Sequence, residues 1–363
     1  MSKDLLFFAG KKALSIIREE GLKPGRVQVV TGAAGGPKWL VLYGLNRLLF
    51  TRFFAGRSDP LHLIGSSIGA WQFAAASVRD PGAAFDRLKE AYIHQRYETK
   101  PTPAEVSRES ERVLAGYIGD DEIRQVLAHP FFRPAFVTAR CARAALASET
   151  PLRQIPALGL AAAGNAVSRA SLRLFFQRVL FQHPAADGFW NGLNGFSDRR
   201  VTLSQENFRA AVMASGSIPL VMSGVSDIPG APSGVYRDGG IIDYHMNLPF
   251  PCDPDRIVLF PHYIPRIVPG WFDKKITWRK PVPAWLDNVL LAAPSPDFVA
   301  GLPYGKISDR NDFKLLHRRD EERFRYWETV AGQSRLLADD FEQAVASGDI
   351  RDRVRPFDFF NAA

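Results

Sequence analysis

Cysteine is almost missing from this sequence: its 363 residues hold two, Cys141 and Cys252. Two cysteines exclude a disulfide framework and a Cys-rich zinc module, and they fit a reducing compartment. No His, Cys and carboxylate cluster has metal-ligand spacing, so neither a metal nor a cofactor is expected. No run reaches the roughly 18 apolar residues of a membrane-spanning helix. The nearest, residues 155–167, is interrupted by Pro156 and Asn165. The run Leu5–Ala9 is followed at once by Lys11 and Lys12, with no small-residue cleavage site. It therefore reads as the start of an amphipathic first helix closed by Gly21, not as a secretory signal. A soluble, cytoplasmic protein is expected. Repeats and low-complexity tracts are also lacking. With 46% hydrophobic and 23% charged residues, a disordered or fibrous chain is excluded.

What is present begins with charge. The formal net charge is +8, which favours anionic partners. No recognition helix, zinc finger or RNA-binding sheet signature accompanies it, so nucleic acid is not expected. Residues 131–200 hold nine arginines against the acids Glu149, Asp187 and Asp198. There Arg169, Arg173 and Arg178 alternate with leucines and phenylalanines. That stretch and the segment Trp271–Lys280 are two candidate contacts with an anionic membrane. The competing reading packs their apolar sides inward and leaves the arginines in water.

The chemistry concentrates where strands run into helices. A strand over residues 26–30 ends in Thr31-Gly32-Ala33-Ala34-Gly35-Gly36, and Pro37-Lys38-Trp39 opens a helix. The loop's small residues expose successive N–H groups that suit a phosphate or an oxyanion. It lacks the Gly-Lys-Ser/Thr ending of a Walker A loop and is not G-x-G-x-x-G. A second strand, residues 61–64, runs into Gly65-Ser66-Ser67-Ile68-Gly69, a G-x-S-x-G match, and then a largely apolar helix over 70–76. Such a turn pushes a hydroxyl, here that of Ser67, out of the sheet at a helix N-terminus, where the dipole favours developing negative charge. Strand, loop, helix, strand, turn and helix within about 60 residues predict an α/β protein with a parallel, helix-covered sheet. Further on, Ala214-Ser215-Gly216-Ser217-Ile218-Pro219 ends a helix in small residues. Asp238 precedes two glycines after a short strand, where a carboxylate could serve a serine as proton acceptor or simply make a turn.

In this order the four motifs resemble the patatin-like phospholipases, over roughly residues 27–250. The resemblance implies a three-layer α/β/α fold with a mainly parallel central sheet and a Ser–Asp dyad that cleaves acyl esters of lipids without histidine. Carried onto this sequence, it implies Ser67 as nucleophile and Asp238 as base. It also implies an oxyanion hole from the amides of Ala34, Gly35 and Gly36 with Lys38 adding charge, and Gly65, Ser66, Ile68 and Gly69 framing the nucleophile. A single domain follows, with a core over about 26–262 and a mostly helical extension over 263–363. Two departures stand out. Lys38 and Trp39 stand where the family usually has Arg and then Gly, and the segment from Ile241 to Pro249 is slightly long. Two other functions fit the same residues: an α/β-hydrolase whose triad uses His245, His262 or His317, and a lipid-binding protein without turnover.

Overall fold

In the computed structural model the described residues are 4–186, 188–193, 196 and 198–357. They build a three-layer α/β/α arrangement around one mainly parallel sheet. Its strands are β1 (Leu5–Ala9), β2 (Val27–Gly32), β3 (Leu61–Ser66), β4 (Phe132–Cys141), β5 (Phe176–Gln182), β6 (Arg199–Thr202), β7 (Val225–Ser226), β8 (Val235–Asp238), β9 (Ile257–Pro261), β10 (Val289–Pro294) and β11 (Val354–Pro356). The order across the sheet is β11-β1-β10-β9-β2-β3-β4-β5-β6, with β8 paired to β4 and β7 to β8. From β10 to β4 all five strands are parallel. These strands read as near-continuous apolar runs because both faces are covered; every residue of β3 is buried.

One strand acts as a ruler for the site. β4 is ten residues long, and β3 runs parallel to it only as far as Ser66 opposite Val137. Beyond that level the same edge of β4 is taken by β8, which runs antiparallel and reaches Asp238 opposite Thr138. The C-terminal ends of β3 and β8 therefore meet head to head. Residues far apart in the chain become neighbours because both ladders terminate on adjacent residues of one partner strand.

The helix after β3, Ile68–Ala76, is buried all round, and its alanines allow close approach on every side. Gly69 makes the tightest contact: a Cβ there would lie 2.3 Å from the Gly32 carbonyl oxygen of the neighbouring turn. The helix Asp320–Ser347 covers the turn Gly36–Leu42 and the helix Tyr43–Leu48. Its first turn carries Asp320, Glu321 and Glu322, which complement the dipole, and Gly348 ends it at φ 82°.

Two sequence expectations are corrected here. Leu5–Ala9 is not the start of the first helix but strand β1, with alternate residues buried; the helix is Lys11–Glu20, closed by Gly21 at φ 72°. Five apolar residues are ambiguous between the two periods, and pairing with β10 and β11 settles the matter. Likewise, the extension over 263–363, expected to be mostly helical, also carries strands, because β10 inserts between β1 and β9. The C-terminal hundred residues thus add two strands to the central sheet besides their helices.

Candidate active site

Ser67 sits between β3 and the helix Ile68–Ala76 at φ 55°, ψ −126°. That conformation is costly for a residue with a Cβ and turns the side chain out of the sheet. Its Oγ donates to Asp238 Oδ2 over 2.8 Å. Asp238 Oδ1 accepts from the Gly240 amide at 2.6 Å, and the Asp238 amide donates to the Ser217 carbonyl at 2.9 Å. Both side chains are buried, and burial raises the Asp238 carboxyl to about 6 against the opposing effect of its two hydrogen bonds.

A residue the sequence reading did not single out fixes this turn. Ser215 Oγ accepts from the Ser67 amide at 2.9 Å and donates to the Val137 carbonyl at 2.7 Å. It ties the elbow to the same ruler strand. The small-residue segment that contains it also supplies Ile218 and Pro219 to the pocket wall.

The pocket above Ser67 is small, about 360 Å³ of atom-free space including its open mouth. Ala34, Gly35, Gly36, Tyr244, Trp271 and Arg310 also line it. Gly36 adopts φ 57°, a left-handed backbone suited to glycine. Gly35 is required for a different reason: a Cβ there would lie 2.7 Å from the Tyr263 ring. The Tyr263 hydroxyl donates to the Ala34 carbonyl at 2.7 Å and meets His245 Nε2 at 2.6 Å, which pins the loop.

The expected set of oxyanion donors changes in two respects. The Ala34 amide already donates to the Tyr244 carbonyl at 2.9 Å, leaving the amides of Gly35 and Gly36 for a ligand. Lys38 does not line the pocket; its ammonium lies 4.8 Å from the centre of the Tyr263 ring. Trp39 turns into the core, edge-on to Tyr92 and Tyr43. Gly65, Ser66 and Ile68 surround the elbow and are buried. The cations at the mouth come from the C-terminal third. Arg310 makes no hydrogen bond or ion pair with another described residue. Lys274 lies 4.0 Å from the Tyr244 ring centre, and burial, with Arg310 and Lys38, lowers it to about 7.

Among the described residues no histidine bonds to Ser67 or Asp238. His245 is occupied by Tyr263 and the Val268 amide, His262 faces Ile264, and His317 is exposed. The Ser67 hydroxyl faces the carboxylate directly, so the triad expectation has no geometry behind it. No group of three or more His, Cys, Asp or Glu among the described residues is disposed to hold a metal ion.

The second half of the stretch from Arg169 to Phe181 is also corrected. It belongs to β5, with Arg178 buried and doubly bonded to Asp243 at 2.6 and 2.8 Å and paired to Asp198 at 3.0 Å. Arg178 therefore faces the protein interior and not a bilayer.

If Asp238 takes a proton from Ser67, activity follows its ionisation. Ester-hydrolysis kcat/KM is expected to be level above about pH 6 and to fall roughly tenfold per unit below it. A pH–rate series with a neutral soluble ester checks this; a profile still level a full unit below that point would contradict it.

No family model matches the chain, and no curated protein matches it. Among solved structures it is similar to VipD from Legionella pneumophila, with a TM-score of 0.30 and 11% identity over 72% of this chain. The match covers 54% of VipD, so the chain spans about half that protein's length. A likeness this slight carries no argument about activity.

Proposed function

We propose that the protein is a serine acyl hydrolase of the patatin-like kind, cleaving carboxylic esters of lipids. The observation that supports this most is the 2.8 Å hydrogen bond from Ser67 Oγ to Asp238 at a sharp strand-to-helix turn. In this reading Ser67 Oγ attacks the acyl carbonyl as Asp238 accepts its proton. The oxyanion is held by the amides of Gly35 and Gly36, and the leaving alcohol departs with the proton. Water then attacks the acyl-serine, again losing its proton to Asp238, and the carboxylic acid and free Ser67 are released.

An ordinary aspartate is a weak base toward serine. Burial of Asp238 raises its basicity while leaving it ionised at neutral pH, the compromise a general base needs. The helix dipole behind Ser67 favours negative charge at the same place. Arg310 and Lys274, which make no close ion pair with another described residue, support a substrate with an anionic group near the scissile ester, as a phospholipid has. The two free cysteines support a reducing, cytoplasmic setting. No helix among the described residues is long and apolar enough to cross a membrane.

A fluorophosphonate probe followed by peptide mass spectrometry tests the reading. Ser67 is expected to carry the label, and the Ser67→Ala protein none. Incubation with a total lipid extract is expected to release free fatty acid from the wild type alone. Labelling of another serine, or equal release by both proteins, would refute the proposal.

A further inference from the structure

The helix Pro151–Val167 is built inside out. Its polar side chains point inward: Gln154 and Asn165 are fully buried. Gln154 donates to the Ser148 carbonyl at 2.8 Å and accepts from the Leu220 amide at 2.8 Å, while Asn165 donates to Asp273 at 2.7 Å. Its outward stripe is apolar, with Leu152 86% and Val167 89% exposed and Ile155 and Leu160 also in the open. Arg153 is its one charged residue. A helix facing water normally has the opposite pattern, and a contiguous apolar stripe of this kind marks a contact surface.

Both ends of the helix are bolted to the lips of the Ser67 pocket. Leu220, held by Gln154, follows the lining residues Ile218 and Pro219. Asp273, held by Asn165, comes two residues after the lining residue Trp271. Arg279 donates to the Asn165 carbonyl, which sets Trp278, 70% exposed, beside the helix's C-terminal end. The helix that carries the apolar stripe, Trp278 and the edges of the pocket are therefore tied together by direct hydrogen bonds or short chain links.

The charge pattern identifies what covers this region. No Asp or Glu occurs between residues 150 and 186. Arg153 on the helix and Lys275 and Lys280 on either side of Trp278 in the chain are exposed. Glu149, which precedes the helix, is paired with Arg237, and an apolar face with a tryptophan and a basic rim is the combination that seats in the head-group layer of an anionic bilayer. A protein partner would leave the rim cations in need of specific acids, whereas anionic lipid supplies them anywhere.

We infer that the outward face of the helix Pro151–Val167, with Trp278, docks the protein on an anionic lipid surface so that the pocket mouth opens toward the lipid. The acyl-hydrolase reading gives this docking its purpose, but the binding itself does not depend on turnover.

Co-sedimentation of the full chain with phosphatidylcholine vesicles, with and without about one-third phosphatidylglycerol, tests it. The Ser67→Ala protein is run in parallel, so that loss of binding and loss of hydrolysis remain separate readouts. Both proteins are expected to partition onto the anionic vesicles about tenfold or more above the neutral ones. The combined variant Leu152→Ser, Ile155→Ser, Leu160→Ser is expected to stay in the supernatant while melting no lower than the wild type, because the three side chains are exposed. Wild type that stays in solution with both vesicles overturns the inference, as does a triple variant that binds like wild type. So does light scattering that shows a wild-type dimer and a monomeric variant, which would make the stripe a contact between copies.

Discussion

Ser67→Ala and Asp238→Asn are each expected to lower kcat/KM for a p-nitrophenyl ester by at least about 10³-fold with the fold intact. The two losses should be far from additive, since nucleophile and base act in one step. In Asp238→Asn the amide oxygen still accepts from Gly240, so the turn is kept while the proton acceptor is removed. The stability consequences run opposite to activity. Burial places the folded-state value of Asp238, about 6, above the value of 3.8 for an unperturbed carboxyl. Between those values the folded protein holds the proton more tightly than the unfolded chain, so this group's contribution to stability falls as pH rises from about 4 to about 6. Above that range the Asn variant, free of a buried charge, is expected to melt at or above the wild type. Ser67→Gly is expected to be equally inactive yet to melt above Ser67→Ala. At φ 55°, ψ −126° a Cβ costs about 1–3 kcal/mol, which glycine avoids. Ester turnover retained in either dyad variant, measured on protein that unfolds cooperatively, would rule out the dyad.

Gly35→Ala is expected to cost about 10²–10³ in kcat, the scale of a lost oxyanion donor, with a smaller change in KM. The added methyl would lie 2.7 Å from Tyr263 Cε1. The ring cannot yield easily, because Tyr263 is buried and its hydroxyl is held between the Ala34 carbonyl and His245. The loop must move instead, and with it the amides of Gly35 and Gly36. Since these donors meet charge only as it develops, kcat bears the loss. Gly25→Ala, where an added methyl meets nothing within 4 Å, is the control for a generic glycine effect and should leave kcat unchanged. A Gly35→Ala enzyme with wild-type kcat would remove the loop from the oxyanion role.

Several features were readable before any coordinates. The β2–loop and β3–elbow–helix units show as short apolar runs ending in small residues, because parallel strands buried on both faces permit little else. Ser67 is marked by its G-x-S-x-G frame. Asp238 stands out only in company, through its order after the other motifs. Ser215 left no such signal: a serine among small residues is unremarkable until its two hydrogen bonds are seen. Ala34 shows the reverse failure. Its place in the Gly-rich loop suggested a free amide, yet Tyr244, some 200 residues away, takes that amide up.

The strand identity of Leu5–Ala9 and of β10 was hidden because five or six apolar residues satisfy more than one period, and only a partner strand decides between them. The membrane-facing reading of Arg178 failed for a related reason. Charge alternating with apolar residues looks the same whether the arginines face lipid or, like Arg178, a buried aspartate.

The sequence alone determined the local turns and their reactive groups, since tight strand-to-helix turns demand glycine and a displayed hydroxyl within a few residues. Only the tertiary structure decided that Ser67 meets Asp238, that the Ala34 amide is taken up by the Tyr244 carbonyl, and that the helix Pro151–Val167 turns its apolar stripe outward. Those outcomes rest on pairing and packing between segments remote in the chain. Here they turn on where two ladders end along β4, a length that no local pattern encodes.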